Sequence, residues 1–175
     1  MLRRTFLLGA GASLLCPVPQ VLADVRPDIL PDVPAADSLS AATCAATGAR
    51  RPDAARLRLV LGVRQALGKP YVWGAEGPAA FDCSGLIRWL YARVGLRLPR
   101  TACEQGSIGL RVRDRLLLGD VLLFRSQRSP SGWHTGMYLQ GRVFVHAAGR
   151  DRGVILSLLG TRRLRQLVSV RRYLA

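Results

Sequence analysis

The feature that constrains this chain most is a change of hydrophobic period partway along it. Ala54, Leu57, Leu59, Val60, Val63 and Leu67 recur at helical spacing up to Gly68, which predicts a helix of about four turns. A second helix is expected from Asp82-Cys83-Ser84 through Leu86, Ile87, Leu90, Tyr91 and Val94, with Asp82 or its neighbour capping its start and Gly95 ending it. Thr101-Ala102-Cys103-Glu104 has the form of a capping box, so a short helix should follow Pro99-Arg100. Beyond Asp120 the period becomes two. Val121 to Phe124, Thr135 to Leu139 and Arg142 to Ala147 read as strands, the last two joined by a hairpin through Gln140-Gly141. Val154 to Leu158 and Val168 to Tyr173 add two more. Helices first and an antiparallel sheet afterwards make an α+β domain, and 175 residues are enough for one such domain with a real core.

The N-terminal part has a different character. Arg3 and Arg4, an apolar stretch from Thr5 to Cys16, and Val21-Leu22-Ala23 before Asp24 read as an export signal over residues 1–23. Arg3-Arg4-Thr5-Phe6-Leu7 also has the form of a twin-arginine signal. The apolar stretch is too short to span a bilayer as a mature helix, and Leu15 is too bulky for the position before a lipidated Cys16. Residues 24–50, with Pro27, Pro31 and Pro34 and no sustained period, form an arm or linker. The folded domain is therefore expected over 51–175, working outside the cytoplasm in the periplasm or beyond.

A formal charge of +15 raises nucleic acid as a partner, but no nucleic-acid motif accompanies it. Lys69 is the only lysine, so the excess is nearly all arginine, as codon usage in a GC-rich genome would also produce. The charge is uneven. From Val121 onward Arg125, Arg128, Arg142, Arg150, Arg152, Arg162, Arg163, Arg165, Arg171 and Arg172 face Asp151 alone, so this half should be drawn to anionic envelope polymers.

A thiol is a good nucleophile only as thiolate, and a helix N-terminus together with a nearby histidine lowers its pKa. Cys83 lies in the first turn of the expected second helix, and the two histidines of the chain are His134 and His146. They sit on partner strands of one hairpin at an even separation that places both on one face, where one imidazole can orient the other. Taken singly, each residue has a plainer explanation. An exported cysteine is commonly half of a disulfide, and a strand histidine is commonly structural. The chain shows neither CxxC nor HxxxH spacing, so no metal or other cofactor is expected.

Read together, the local contexts are more specific. Lys69-Pro70-Tyr71-Val72-Trp73-Gly74, Phe81-Asp82-Cys83-Ser84-Gly85-Leu86, Leu98-Pro99-Arg100-Thr101, Gly119-Asp120-Val121, His134-Thr135-Gly136-Met137-Tyr138 and Val145-His146-Ala147 resemble, in order and spacing, the NlpC family of papain-like cell-wall peptidases. The resemblance runs from about Leu57 to Leu158. It implies a papain-like fold with the nucleophile at a helix N-terminus packed on an antiparallel sheet. It further implies Cys83 as nucleophile, His134 as general base, His146 as the residue that orients His134, and Tyr71, Ser84 and Trp73 as support for substrate and oxyanion. Asp82 reads as a helix cap. The implied substrate and partner is peptidoglycan, cut in its stem peptides between γ-D-glutamate and a diamino acid.

Ala75-Glu76, Thr135 and Cys103 depart from the family pattern without removing a catalytic group. Two other readings compete. One is a thiol amidase or acyltransferase on a non-wall substrate; in lipid-acting relatives, however, histidine precedes cysteine, the reverse of the order here. The other is an inactive wall-binding domain, which would lack the thiol or the base. Cys44 and Cys103 are the remaining mature cysteines, and an oxidising compartment would favour pairing them.

Overall fold

The computed structural model describes residues 54–174. The expected export signal, the Pro-rich arm and Cys44 lie outside the described residues, while Cys103 is exposed and, among the described residues, bridged to no other cysteine. The first helix, α1 (Ala54–Ala66), buries Leu59, Val60 and Val63. The second, α2 (Cys83–Ala92), begins at Asp82, whose extended backbone and side chain accepting from the Gly85 N–H make it the N-cap. It stops three residues short of Gly95. The Arg93, Val94 and Gly95 N–H groups reach back only three residues, to Leu90, Tyr91 and Ala92, so the end tightens into a 3₁₀-type turn that Gly95 closes at positive φ. Thr101 and Glu104 form the expected capping box at α3 (Ala102–Gln105).

The remainder is a six-stranded sheet with two short elements that hydrophobic period alone does not reveal. One is β1 (Leu110–Arg111), paired with the last strand. The others are β2 (Val121–Arg125), β3 (Trp133–Tyr138), β4 (Val143–Ala147), β5 (Val154–Leu158) and β6 (Leu167–Arg172), in the order β1-β6-β2-β3-β4-β5 with every pairing antiparallel. The second is α4 (Thr161–Gln166), whose single apolar residue, Leu164, gives no amphipathic signal.

Both faces of the sheet are covered, so β2 and β4 are buried as continuous runs and depart from the expected period of two. On one face Val121, Met137, Val145 and Ala147 pack with Leu59 and Val63 of α1 and with Leu86, Ile87, Leu90 and Tyr91 of α2. On the other, Leu122, Phe124, Phe144 and Val170 form a smaller cluster, and the Arg163 guanidinium of α4 stands over the rings of Phe124 and Phe144. The Tyr91 hydroxyl donates to the Gly119 carbonyl and ties α2 to the turn before β2. Among the described residues, no helix is long and apolar enough to cross a membrane.

Candidate active site

Cys83 is the first residue of α2 and is 5% exposed. The first N–H groups of a helix have no intrahelical partner, and here the backbone N–H groups of Cys83 and Ser84, with that of Thr135 on β3, point at the Cys83 sulfur. The helix start is held from several sides. Asp82 accepts from Gly85 N–H at 2.7 Å, from Gly74 N–H at 2.9 Å and from Arg100 Nη2 at 2.5 Å. Arg100 also donates to the Ser84 hydroxyl at 3.0 Å and pairs with Glu76 at 3.0 Å, and Arg88 holds Glu76 in turn. From α3 the buried Gln105 amide donates to the Ser84 and Pro99 carbonyls. Gly85 is required by this arrangement: a Cβ there would lie 2.1 Å from the Ala75 carbonyl oxygen, which accepts the Asp82 N–H at 2.9 Å.

His134 and His146 lie on one face of the β3-β4 hairpin. Continuing the Met137↔Val145 pairing sets His146 opposite Gly136, diagonal to His134. Gly136 leaves room for the rings to meet, since a Cβ there would fall 2.8 Å from the Val145 carbonyl and 3.2 Å from His146 Cβ. His134 Nε2 and His146 Nδ1 are 2.7 Å apart, and His146 Nε2 lies 2.9 Å from the Ser157 hydroxyl of β5. One assignment leaves His134 Nδ1 bare: His134 Nε2–H donates to His146 Nδ1, and His146 Nε2–H donates to Ser157 Oγ.

A cleft of about 570 Å³ is lined by Cys83, His134, Tyr71 and Trp73, with the 147–152 segment along its far wall. Tyr71 is half-buried. Burial, with the nearby Cys83 and Asp82, pushes its hydroxyl up to about 12, so it is an O–H donor at neutral pH. Trp73 is half exposed and flanks the opening. The Ser84 side chain is placed differently from the expectation. Its hydroxyl turns toward Asp82 and Arg100, and only its backbone N–H faces the thiol.

Two opposing influences act on the Cys83 thiol. The N–H groups pull the Cys83 pKa down, but burial outweighs them and pushes the thiol up. Burial, then Arg163 and Arg152, press His134 down to about 4, and burial presses His146 down as well. At neutral pH the free cleft is therefore lined by a thiol and a neutral imidazole. Arg100, Gln105 and Ser157 are positioning groups that local sequence reading missed. Among the described residues, no group of three or more His, Cys, Asp or Glu side chains could hold a metal ion.

A profile of the NlpC/P60 family matches residues 68–172. A protein of Corynebacterium glutamicum named "Probable endopeptidase" is 41% identical over 117 residues, covering 66% of this chain and 49% of that one. The "Bifunctional muramidase/DL-endopeptidase CwlT" of Bacillus subtilis is 38% identical over 44% of this chain and 25% of its own. Among solved structures, the peptidoglycan hydrolase RipB of Mycobacterium tuberculosis superposes with a TM-score of 0.57 at 28% identity, over 72% of this chain and 70% of that one. The chain spans about half the length of the Corynebacterium relative and about a quarter of CwlT.

Proposed function

Because the chain belongs to the NlpC/P60 family, we propose that it is an exported cysteine endopeptidase that cleaves peptidoglycan stem peptides, at the bond between γ-D-glutamate and a diamino acid. The observation that carries this reading is the pairing, in one cleft, of a thiol at a helix N-terminus with the His134–His146–Ser157 chain.

In this reading Cys83 Sγ attacks the scissile carbonyl while its proton passes to His134 Nδ1. The attack forms the C–S bond as the imidazole becomes charged, so no preformed thiolate is required. The Cys83 N–H at the start of α2 donates to the developing oxyanion, and the Tyr71 hydroxyl donates from the neighbouring wall. His134 then protonates the leaving amine as the C–N bond breaks, giving a thioester. Water loses a proton to His134 and adds to the thioester carbon, and the thiolate leaves and recovers its proton. His146, held by Ser157, keeps His134 in the tautomer that accepts at Nδ1. The Arg-rich half draws the enzyme to anionic envelope polymers.

The test is incubation of protein from Asp24 onward, beside Cys83→Ala, with purified muropeptides, the products read by mass spectrometry. Wild type should release fragments split after γ-D-glutamate, and the variant should be slower by roughly a thousandfold or more. Equal cleavage by both would remove Cys83 as nucleophile, and fragments from a different bond would reassign the substrate.

A further inference from the structure

Beside the main cleft lies a second cavity of about 250 Å³, lined by Arg128, Arg152, Arg162, Arg163, Gln166 and His134 among others. The guanidiniums arrive from three segments: the β2-β3 turn, the β4-β5 turn and α4. Among the described residues, none of these four arginines makes an ion pair with a carboxylate. Three of them are exposed, and Arg163 is partly buried against Phe124 and Phe144. Gathering four like charges around one hollow costs repulsion that an anion seated there would relieve.

We propose that this arginine pocket is a subsite for a free carboxylate on the leaving-amine side of the scissile bond. The proposal deepens the peptidase reading and rests on it. The side follows from chemistry: the acyl carbon bonds to Cys83, whereas the leaving amine takes its proton from His134. The pocket shares Ser126, Arg128, His134, Ala148 and Arg152 with the main cleft but does not touch Cys83, Tyr71 or Trp73. It therefore continues the cleft beyond the base, where the leaving half of the peptide runs. Planar guanidiniums suit a carboxylate, which they can grip with two parallel N–H donors.

Such a carboxylate has two sources in a stem peptide: the side-chain end of a diamino diacid, or the C-terminus of the chain. Occupancy also bears on the base. Around His134 stand His146 from β4, Cys83 from α2, Arg163 from α4, Arg152 from the β4-β5 turn and Arg128 from the β2-β3 turn. Arg163 and Arg152 depress its basicity. An anion between them offsets that field, so the correct substrate makes His134 a stronger base for the thiol proton as it binds.

The experiment compares kcat/KM on three peptides alike up to the scissile bond. The first carries diaminopimelate and a free C-terminus, the second has lysine in place of diaminopimelate, and the third carries diaminopimelate with an amidated C-terminus. Wild type should prefer the first over the second or the third by about tenfold, the scale of one charge-assisted hydrogen bond, and the disfavoured peptide identifies the source. In Arg152→Gln/Arg163→Gln that ratio should collapse toward one. Arg128→Gln, a single change on an exposed turn, should lower it partway and keeps the test valid if the double variant folds poorly. Equal cleavage of all three peptides by wild type, or a preference that survives in the variants, overturns the subsite alone. Failure of wild type to cut any of them overturns the peptidase reading and the subsite with it.

Discussion

At the α2 end of the cleft, Arg100 bridges Asp82 and Glu76 while Arg88 holds Glu76 from its other side, so two arginines meet two carboxylates. At the α4 end, Arg128, Arg152, Arg162 and Arg163 surround a cavity, and Asp151, the one acidic residue bordering the adjoining cleft, pairs with none of them among the described residues. The same side chain serves opposite ends. On the first flank the charges are spent internally, and their product is a fixed helix start beneath the thiol. On the second they remain open, and their product is a field that reaches His134. A net charge of +15 is thus not one property of the surface.

The sharpest way to break this comparison is to remove one arginine from each flank. Arg100→Met leaves Asp82, which is almost fully buried, without its cation. A fully buried pair costs about 3–5 kcal/mol to break, and with Arg100 a third exposed and two N–H donors kept on Asp82 the loss should be about 1–3 kcal/mol. Arg163→Met removes a charge whose charged neighbours are arginines and whose favourable contacts are long approaches to the Phe124 and Phe144 rings, so the stability change should stay within about 1 kcal/mol or favour the variant. Urea unfolding of the two variants measures the difference. Equal losses would mean that Arg163 is as structural as Arg100 and that the second flank is closed after all.

The next effect is smaller and depends on pH. His134 sits at about 4 in the fold against 6.5 when unfolded, so the unfolded chain binds the extra proton between these values. Stability is then fully present above about 6.5 and is lost as pH falls toward 4, by roughly 3 kcal/mol from this residue alone. The acid limb of kcat/KM should fall near the same lower value, where the base becomes protonated. Arg152→Gln/Arg163→Gln should move that limb upward, because two of the charges that depress His134 are gone. Arg100→Met, on the compensated flank, should leave it in place. A limb that shifts equally in both would show that the two flanks share one field.

Much of this architecture was legible because its signals are local. The helical spacing of Leu59, Val60 and Val63, the Asp82 cap, the Thr101–Glu104 capping box and the turn at Gln140-Gly141 each act over a few residues. The even separation of His134 and His146 was enough to predict a shared face. What local reading missed is non-local or lacks a pattern. Arg100 reaches Asp82 across 18 residues and Gln105 reaches the Ser84 carbonyl across 21, and α4 has too little apolar content to announce itself. The burial of Cys83 is hidden from sequence for a related reason. The helix N-terminus is visible in sequence, whereas the burial that outweighs it is a property of the packed fold.

The smallest effect tests whether the histidine chain on the open flank is more than packing. Among the described residues, the Ser157 hydroxyl reaches the cleft through His146, at 2.9 Å from its Nε2. Ser157→Ala removes one neutral hydrogen bond, worth about 1 kcal/mol. If that bond holds His146, and His146 holds the tautomer of His134, the loss should appear in kcat, at about fivefold, with KM little changed. Ser157→Thr, which keeps the hydroxyl, should restore the rate. A variant that loses stability but keeps its kcat would make Ser157 a structural partner and leave orientation of the base to the His134–His146 contact alone. On the arginine flank, then, charge would act on the base through space and not through the hydrogen-bonded chain.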